Sequence, residues 1–244
     1  MFVTGTEPPA GTELAAACRT CAARYSGLCC GAMIPALYAD DDIMIIDKPA
    51  GLAVQPGAGV RVCVLDAVER DHGFRPYLVH RLDKETAGCL VVARSPRAAA
   101  TVSALLGGNG AVKEYRAVVA GRPEPASGVY RDDVRVRGAF QSAETRYRTL
   151  DSDGRLSVVS VVLGTGRMHQ IRQHFAQAGH PIIGDDKHGD FKLNKALARE
   201  LGVKRLMLYA ASLYLPLSPP VEVHASVPPH FAAFFERWGH GVPA

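Results

Sequence analysis

The sequence predicts an α+β fold: a mixed, largely antiparallel sheet flanked by helices and loops. Three observations carry this. Short apolar runs with strand character recur at 36–38, 43–46, 89–93, 114–119, 145–150, 156–163, 206–213 and 221–225. Segments with helical apolar spacing lie among them at 62–69, 97–106, 167–177, 191–201 and 230–238. The two kinds do not alternate regularly, unlike the repeated strand–helix units of a parallel sheet.

In chain order, 36–38 and 43–46 make two short strands around an aspartate-rich turn at 40–42, and DKPAG (47–51) breaks the chain by its Pro and Gly. The segment 77–82 leads into a loop around Asp83. The run 89–93 is continuously apolar, as in a buried strand. Gly107 and Gly108 stop the helix before them. The runs 145–150 and 156–163 face each other across DSDG (151–154), a hairpin signal. Thr165 is placed to cap a helix from 167 to about 177, which Gly179 and Pro181 end. Met168, Ile171, Phe175 and Ala178 form its expected apolar stripe.

The 244 residues suffice for one sizeable core; 48% are apolar and 21% charged, as in an ordinary globular domain. No apolar run reaches bilayer length, and residues 1–11 lack the basic start and apolar centre of a secretory signal, so the expectation is a cytoplasmic protein with no membrane partner. A net charge of +4 permits a nucleic-acid partner. The basic excess concentrates between Arg167 and Arg205, with eight Lys or Arg against four acids. Residues 1–33 carry Cys18, Cys21, Cys29 and Cys30, the last two adjacent, which suits zinc geometry poorly. They are expected to be a Cys-rich, disordered extension, or an over-long start, before a domain spanning 34–244. Cys63 and Cys89 read as buried small residues.

Four segments hold candidate chemistry. In HRLDKETAG (80–88), cations flank Asp83, and an ionised carboxylate can serve as nucleophile or base. Alone, the segment fits a charged surface loop better. In KEYRAVVAG (113–121), Tyr115 and Ala117 share one strand face and Glu114 and Arg116 the other; Tyr115 is a core residue or a platform for a base. GTGRMHQIRQH (164–174) sets two glycines before a basic helix start, where backbone N–H groups suit an anion. His169 and His174 are five apart, which does not put two metal ligands on one helix face. In GHPIIGDDKHGD (179–190), Asp185 and Asp186 read as turn residues. No metal is expected; a hydrolase using His169, His174 and Asp185 stands as a weaker alternative.

Together, and in this order, these segments resemble the RluA-type family of pseudouridine synthases. The opening DDIMIIDKPAG (41–51) resembles the family's strand pair ending in Lys-Pro-x-Gly, and RLMLYAASL (205–213) its Arg-Leu-x-Leu-His-Ala strand. The resemblance spans about 36–240. It implies an RNA-modifying enzyme that isomerises uridine to pseudouridine, with Asp83 as nucleophile, Arg172 as its basic partner and Tyr115 stacked on the base. It implies RNA contacts from Arg81, His80, Thr86, Arg167, His169, Gln170 and Leu208. Arg81 would fill the gap left by the extruded nucleotide, and Leu208 would close the face opposite Tyr115. Asp83 would attack ribose C1′ or uracil C6. No cofactor or nucleotide is implied, and a monomer is expected.

The implied partner is structured RNA. The stretch 184–208 looks closest to family members acting on large-subunit ribosomal RNA, with tRNA the alternative; a non-catalytic RNA-binding protein on the same fold is a third reading. Three departures stand out. Ala87 replaces a Ser, Tyr209 replaces a His with an expected effect on the pocket wall, and residues 1–33 do not resemble a small basic RNA-binding module. RNA capture is therefore expected from the domain itself, including Arg116, Arg131, Arg135 and Arg137.

Overall fold

The computed structural model describes residues 33–108 and 110–241; Cys18, Cys21, Cys29 and Cys30 lie outside them. The elements in chain order are β1 (Ala36–Ala39), β2 (Ile43–Lys48), α1 (Val64–His72), β3 (Tyr77–Leu78), β4 (Ala87–Ala93), α2 (Pro96–Gly107) and β5 (Val112–Ala120). Then come β6 (Ser127–Tyr130), β7 (Asp133–Val136), β8 (Ala139–Ser142), β9 (Thr145–Ser152), β10 (Leu156–Leu163), α3 (Gln170–Gln177), α4 (Phe191–Glu200), β11 (Leu208–Leu215), β12 (Val221–His224) and α5 (Pro229–Trp238).

Ten strands form one sheet in the order β1-β2-β4-β11-β5-β10-β9-β6, with β12 also on β11 and β3 also on β4; β7 and β8 form a separate hairpin. Every named strand pair is antiparallel except β4 with β11, where Tyr209 faces Ala87 and Ala210 faces Gly88. The expected α+β class and mixed, mostly antiparallel sheet are what the chain forms. The apolar runs explain the centre: all seven residues of β4 are buried, as are the first six of β10. No helix among the described residues is long and apolar enough to cross a membrane.

The parallel β4–β11 step places the Asp83 loop, which precedes β4, beside the start of β11. It needs glycine at 88. Gly88 has φ +104, and a Cβ there would fall 2.1 Å from the Ala210 carbonyl oxygen. Gly88→Ala is expected to cost about 2–5 kcal/mol from backbone strain plus overpacking. A shift in the urea midpoint without a change in m-value would show it; an unshifted midpoint would contradict it.

The region between β5 and β9 differs from expectation. Three strands (β6, β7 and β8) form where sequence patterning showed none, and the β7–β8 hairpin covers α3. Gln173 is bound on both sides by the Arg135 backbone: its Oε1 accepts from Arg135 N–H at 2.8 Å and its Nε2 donates to Arg135 O at 3.2 Å. His174 bonds Thr145 Oγ1 through Nδ1 and the Asp132 carbonyl through Nε2. With its polar side covered, α3 buries every residue from Gln170 to Phe175 rather than a single stripe, while Met168 stays exposed.

The start of α3 also differs. It begins at Gln170, not 167, with His169 at the N-cap in a left-handed conformation (φ +54). Thr165 does not cap it. Its hydroxyl donates to Gln170 Oε1 at 2.7 Å and accepts from Glu144 N–H.

Candidate active site

The loop carrying Asp83 is fastened from both flanks. Upstream, His80 Nε2 accepts the Val91 N–H at 3.0 Å, tying the loop's entry to β4. Downstream, the Lys84 carbonyl accepts from Gly51 N–H and from Lys48 Nζ. Lys48 is fully buried, and its ammonium also donates to the Leu52 and Pro49 carbonyls. Burial pushes its pKa down to about 7, against the opposing pull of the Glu85 and Asp83 charges. The DKPAG turn is thus a clamp on the candidate catalytic loop as well as a chain break. Within the loop, Thr86 N–H donates to Asp83 O, and Leu82 and Thr86 are buried.

Arg172, buried on α3, reaches Asp83 through Nη1, 3.1 Å from Oδ2. Its other edge meets Asp185 in a two-pronged bond, Nε to Oδ2 at 2.7 Å and Nη2 to Oδ1 at 2.6 Å. Such paired geometry fixes the guanidinium plane. Burial opposes the Arg172 charge, but the bonds and charges of Asp185 and then Asp83 outweigh it and raise its pKa. Asp185 is fully buried, and its Oδ1 also accepts from Lys187 and His188 N–H. Burial alone would raise the Asp185 pKa; the Arg172 bond and those two N–H groups lower it. Asp185 does lie in a turn, but its carboxylate points inward as the anchor of Arg172. That role was not read from the sequence.

All ten predicted site residues line one cavity of about 340 Å³. Tyr115 and Leu208, both buried, contribute neighbouring strands of its wall: β5 and β11 pair with Leu208 opposite Ala117 and Ala210 opposite Tyr115. Burial first, then the Asp83 charge, raises the Tyr115 pKa, so its phenol is neutral at ordinary pH. Arg81 and Arg167 are exposed at the cavity. His169 Nε2 lies 3.7 Å from Asp83 Oδ2.

Other expected roles shift. The Gln170 amide is used within the fold: Nε2 donates to Glu144 O and Thr145 Oγ1, and Oε1 accepts from Arg167 N–H. It therefore positions the Arg167 segment rather than offering a free amide. Arg116 pairs with Glu114 away from the Tyr115 face of β5. Tyr209 does not alter the pocket wall: it alternates away from Leu208 and packs edge-on against Phe231, with ring centroids 4.7 Å apart. The metal-hydrolase trio is dispersed, His174 to Thr145 and Asp132 and Asp185 to Arg172. Among the described residues no three His, Cys, Asp or Glu side chains converge as for a metal ion.

His80 has a testable consequence for stability. Burial, then the nearby Lys113 charge, pushes its pKa down to about 4. In the unfolded chain a His titrates near 6.5. Between those values the unfolded state binds more protons, so stability falls as pH drops through that window, by about 1–3 kcal/mol. Once protonated, the ring can no longer accept the Val91 N–H. His80→Gln keeps an acceptor but does not titrate, so its urea midpoint should fall less than wild type between pH 6.5 and 4. Equal slopes would contradict this.

The cavity thus holds an anchored carboxylate–guanidinium pair beside one aromatic and one aliphatic wall residue. The family model "RNA pseudouridylate synthase" matches residues 42–177, and the chain belongs to that family. The ribosomal large subunit pseudouridine synthase C of Vibrio cholerae serotype O1 is 34% identical over 211 residues, covering 80% of this chain and 66% of that protein. The tRNA pseudouridine synthase C of Yersinia pestis is 33% identical over 214 residues, covering 75% of this chain and 81% of that protein. The chain spans about two thirds of that ribosomal relative's length, and about 60% of the Salmonella typhi ribosomal large subunit pseudouridine synthase C. Among solved structures, the human RNA pseudouridylate synthase domain containing 4 protein superposes with a TM-score of 0.75 at 28% identity, covering 87% of this chain and 95% of that one.

Proposed function

We propose that the chain is an RNA pseudouridine synthase that extrudes selected uridines of structured RNA and isomerises them, with Asp83 as nucleophile. The observation that carries this is the Asp83–Arg172 pair at 3.1 Å in a cavity walled by Tyr115 and Leu208. The uracil N1–C1′ bond breaks and a C5–C1′ bond forms; C5 loses a proton and N1 gains one. Asp83 forms the transient bond, Arg172 aims it, and Tyr115 and Leu208 hold the detached ring while it turns. Arg81, exposed at the rim, is suited to fill the gap the flipped nucleotide leaves, offsetting part of an unstacking cost of a few kcal/mol. We take the protein to act as a cytoplasmic monomer without a cofactor, with 34–244 as its catalytic domain.

Large-subunit ribosomal RNA is the favoured substrate, in keeping with the Vibrio cholerae relative. A tRNA stem is the second reading, because the Yersinia pestis relative matches over more of its own length. Nucleotide-resolution pseudouridine mapping of cellular RNA with and without the gene separates them. A site lost on deletion and restored by wild type, but not by Asp83→Asn, is expected in ribosomal RNA. A lost tRNA site would favour the second reading, and an unchanged map in both RNAs would overturn the proposal. Restoration by Asp83→Asn would favour a non-catalytic RNA-binding protein.

A further inference from the structure

We propose that His169, backed by His188, is the base that takes the proton leaving uracil C5, leaving Asp83 to act as nucleophile alone. The inference rests on the pseudouridine synthase reading and deepens it. When C5 bonds to C1′ it still carries its hydrogen. That C–H bond must break, its electron pair returning to the ring, while N1 takes up a proton. No oxidant or reductant is involved, but a proton acceptor beside Asp83 is required.

The other cavity groups suit the task poorly. Asp83 is held against Arg172 and is engaged with the substrate during the step. Tyr115 is a neutral phenol with its pKa raised by burial. His80 Nε2 already accepts the Val91 N–H. Lys113 Nζ donates to the Leu106 carbonyl.

His169 differs in three ways. Its ring lines the cavity with Nε2 3.7 Å from Asp83 Oδ2, and its Nδ1 lies 3.1 Å from His188 Nε2. The two rings meet edge-on, and the His188 backbone N–H is fastened to Asp185 Oδ1 at 3.0 Å. If His169 Nδ1–H donates to His188, Nε2 presents a lone pair toward Asp83. That tautomer accounts for a 3.7 Å gap, longer than a hydrogen bond. Finally, His169 holds φ +54, a left-handed conformation that residues with a Cβ rarely adopt. Strain of this kind collects where a side chain must be aimed.

The electrostatics agree with this geometry. Burial lowers the His169 pKa most; the Asp83 charge raises it, and Arg172, His188 and Lys187 lower it. His188 is lowered as well, by burial first. Both rings are therefore neutral near pH 7, and His188, partly exposed, can pass the proton outward.

The test is single-turnover isomerisation of the RNA site found by mapping, prepared with uridine carrying hydrogen or deuterium at C5. His169→Asn tolerates the left-handed backbone and cannot accept the proton. It should be about 10²–10⁴-fold slower than wild type, with a larger C5 isotope effect. Its rate should also lose the fall toward acid that a neutral His base imposes below its lowered pKa. His188→Phe should slow the same step less and move that acid limb. A His169→Asn rate within threefold of wild type would overturn the inference. So would a slower rate with unchanged isotope effect and acid limb, which marks positioning alone. If His169→Asn does not fold, an unchanged isotope effect and acid limb in His188→Phe would overturn it equally. Failure of wild type to isomerise any RNA would instead overturn the underlying functional reading.

Discussion

Asp83→Asn is expected to abolish pseudouridine formation, by at least about 10⁴-fold in single turnover, while leaving the fold and RNA affinity nearly intact. Asn is isosteric with Asp, and its amide oxygen can still accept from Arg172 Nη1, now 3.1 Å from Asp83 Oδ2. The substitution does not orphan the Arg172 charge, because Asp185 remains in its two-pronged bond. Asp83 is also partly open to the cavity rather than locked in the core. Stability should therefore change by less than about 1 kcal/mol, since no buried charge loses its only partner. An amide is a far weaker nucleophile than a carboxylate, so the loss should lie in the chemical step. Substantial turnover by Asp83→Asn would remove Asp83 from the nucleophile role.

What could be read from the sequence, and what could not, follows one physical division. The roles of Asp83, Tyr115, Arg172 and Leu208 are legible through the family motifs that hold them rather than from local residue types, and all four reach one cavity. The supporting residues act through long-range contacts with no local mark. Lys48 continues the alternation of Met44 and Ile46, so the period-2 pattern alone could have placed it inside; its carbonyl partners lie in two separate loops. Asp185 sits in a turn, and its partner is 13 positions earlier. A buried arginine already facing one carboxylate asks for a second, and that was the available signal. Strands β7 and β8 carry little apolar signal, because Val134 is the one buried residue of the hairpin. For the same reason the covered polar face of α3 could not be foreseen. The Ala87 and Tyr209 departures turn out to be register partners on β4 and β11, away from the cavity.

That supporting layer makes the second large effect an effect on stability. Asp185→Ala should destabilise the protein by about 3–5 kcal/mol, because the buried guanidinium loses its two-pronged, fully buried partner and keeps only the partly exposed Asp83 and the exposed Asp186. It also strips the Lys187 and His188 N–H groups of their acceptor. Activity should fall in the fraction that stays folded, since Arg172 would be free to swing toward Asp186, whose Oδ1 already lies 3.3 Å from Nη2. Asp185→Asn, which keeps an acceptor oxygen but loses the charge, should fall between wild type and Ala. The pH dependence follows from the lowered Asp185 pKa. A carboxylate held below its unfolded value of about 3.9 gives its full stabilisation above that pH. The contribution is lost only as pH falls through the lower folded value. The gap between wild type and Asp185→Asn should therefore be constant from pH 5 to 8 and close only in strong acid, as read from urea unfolding midpoints. A double replacement, Arg172→Met with Asp185→Leu, separates stability from function: two apolar side chains of similar volume should recover much of the lost stability and none of the activity. If Asp185→Ala unfolds within about 1 kcal/mol of wild type, the buried pair does not anchor the site, and the positioning of Arg172 must come from α3 alone.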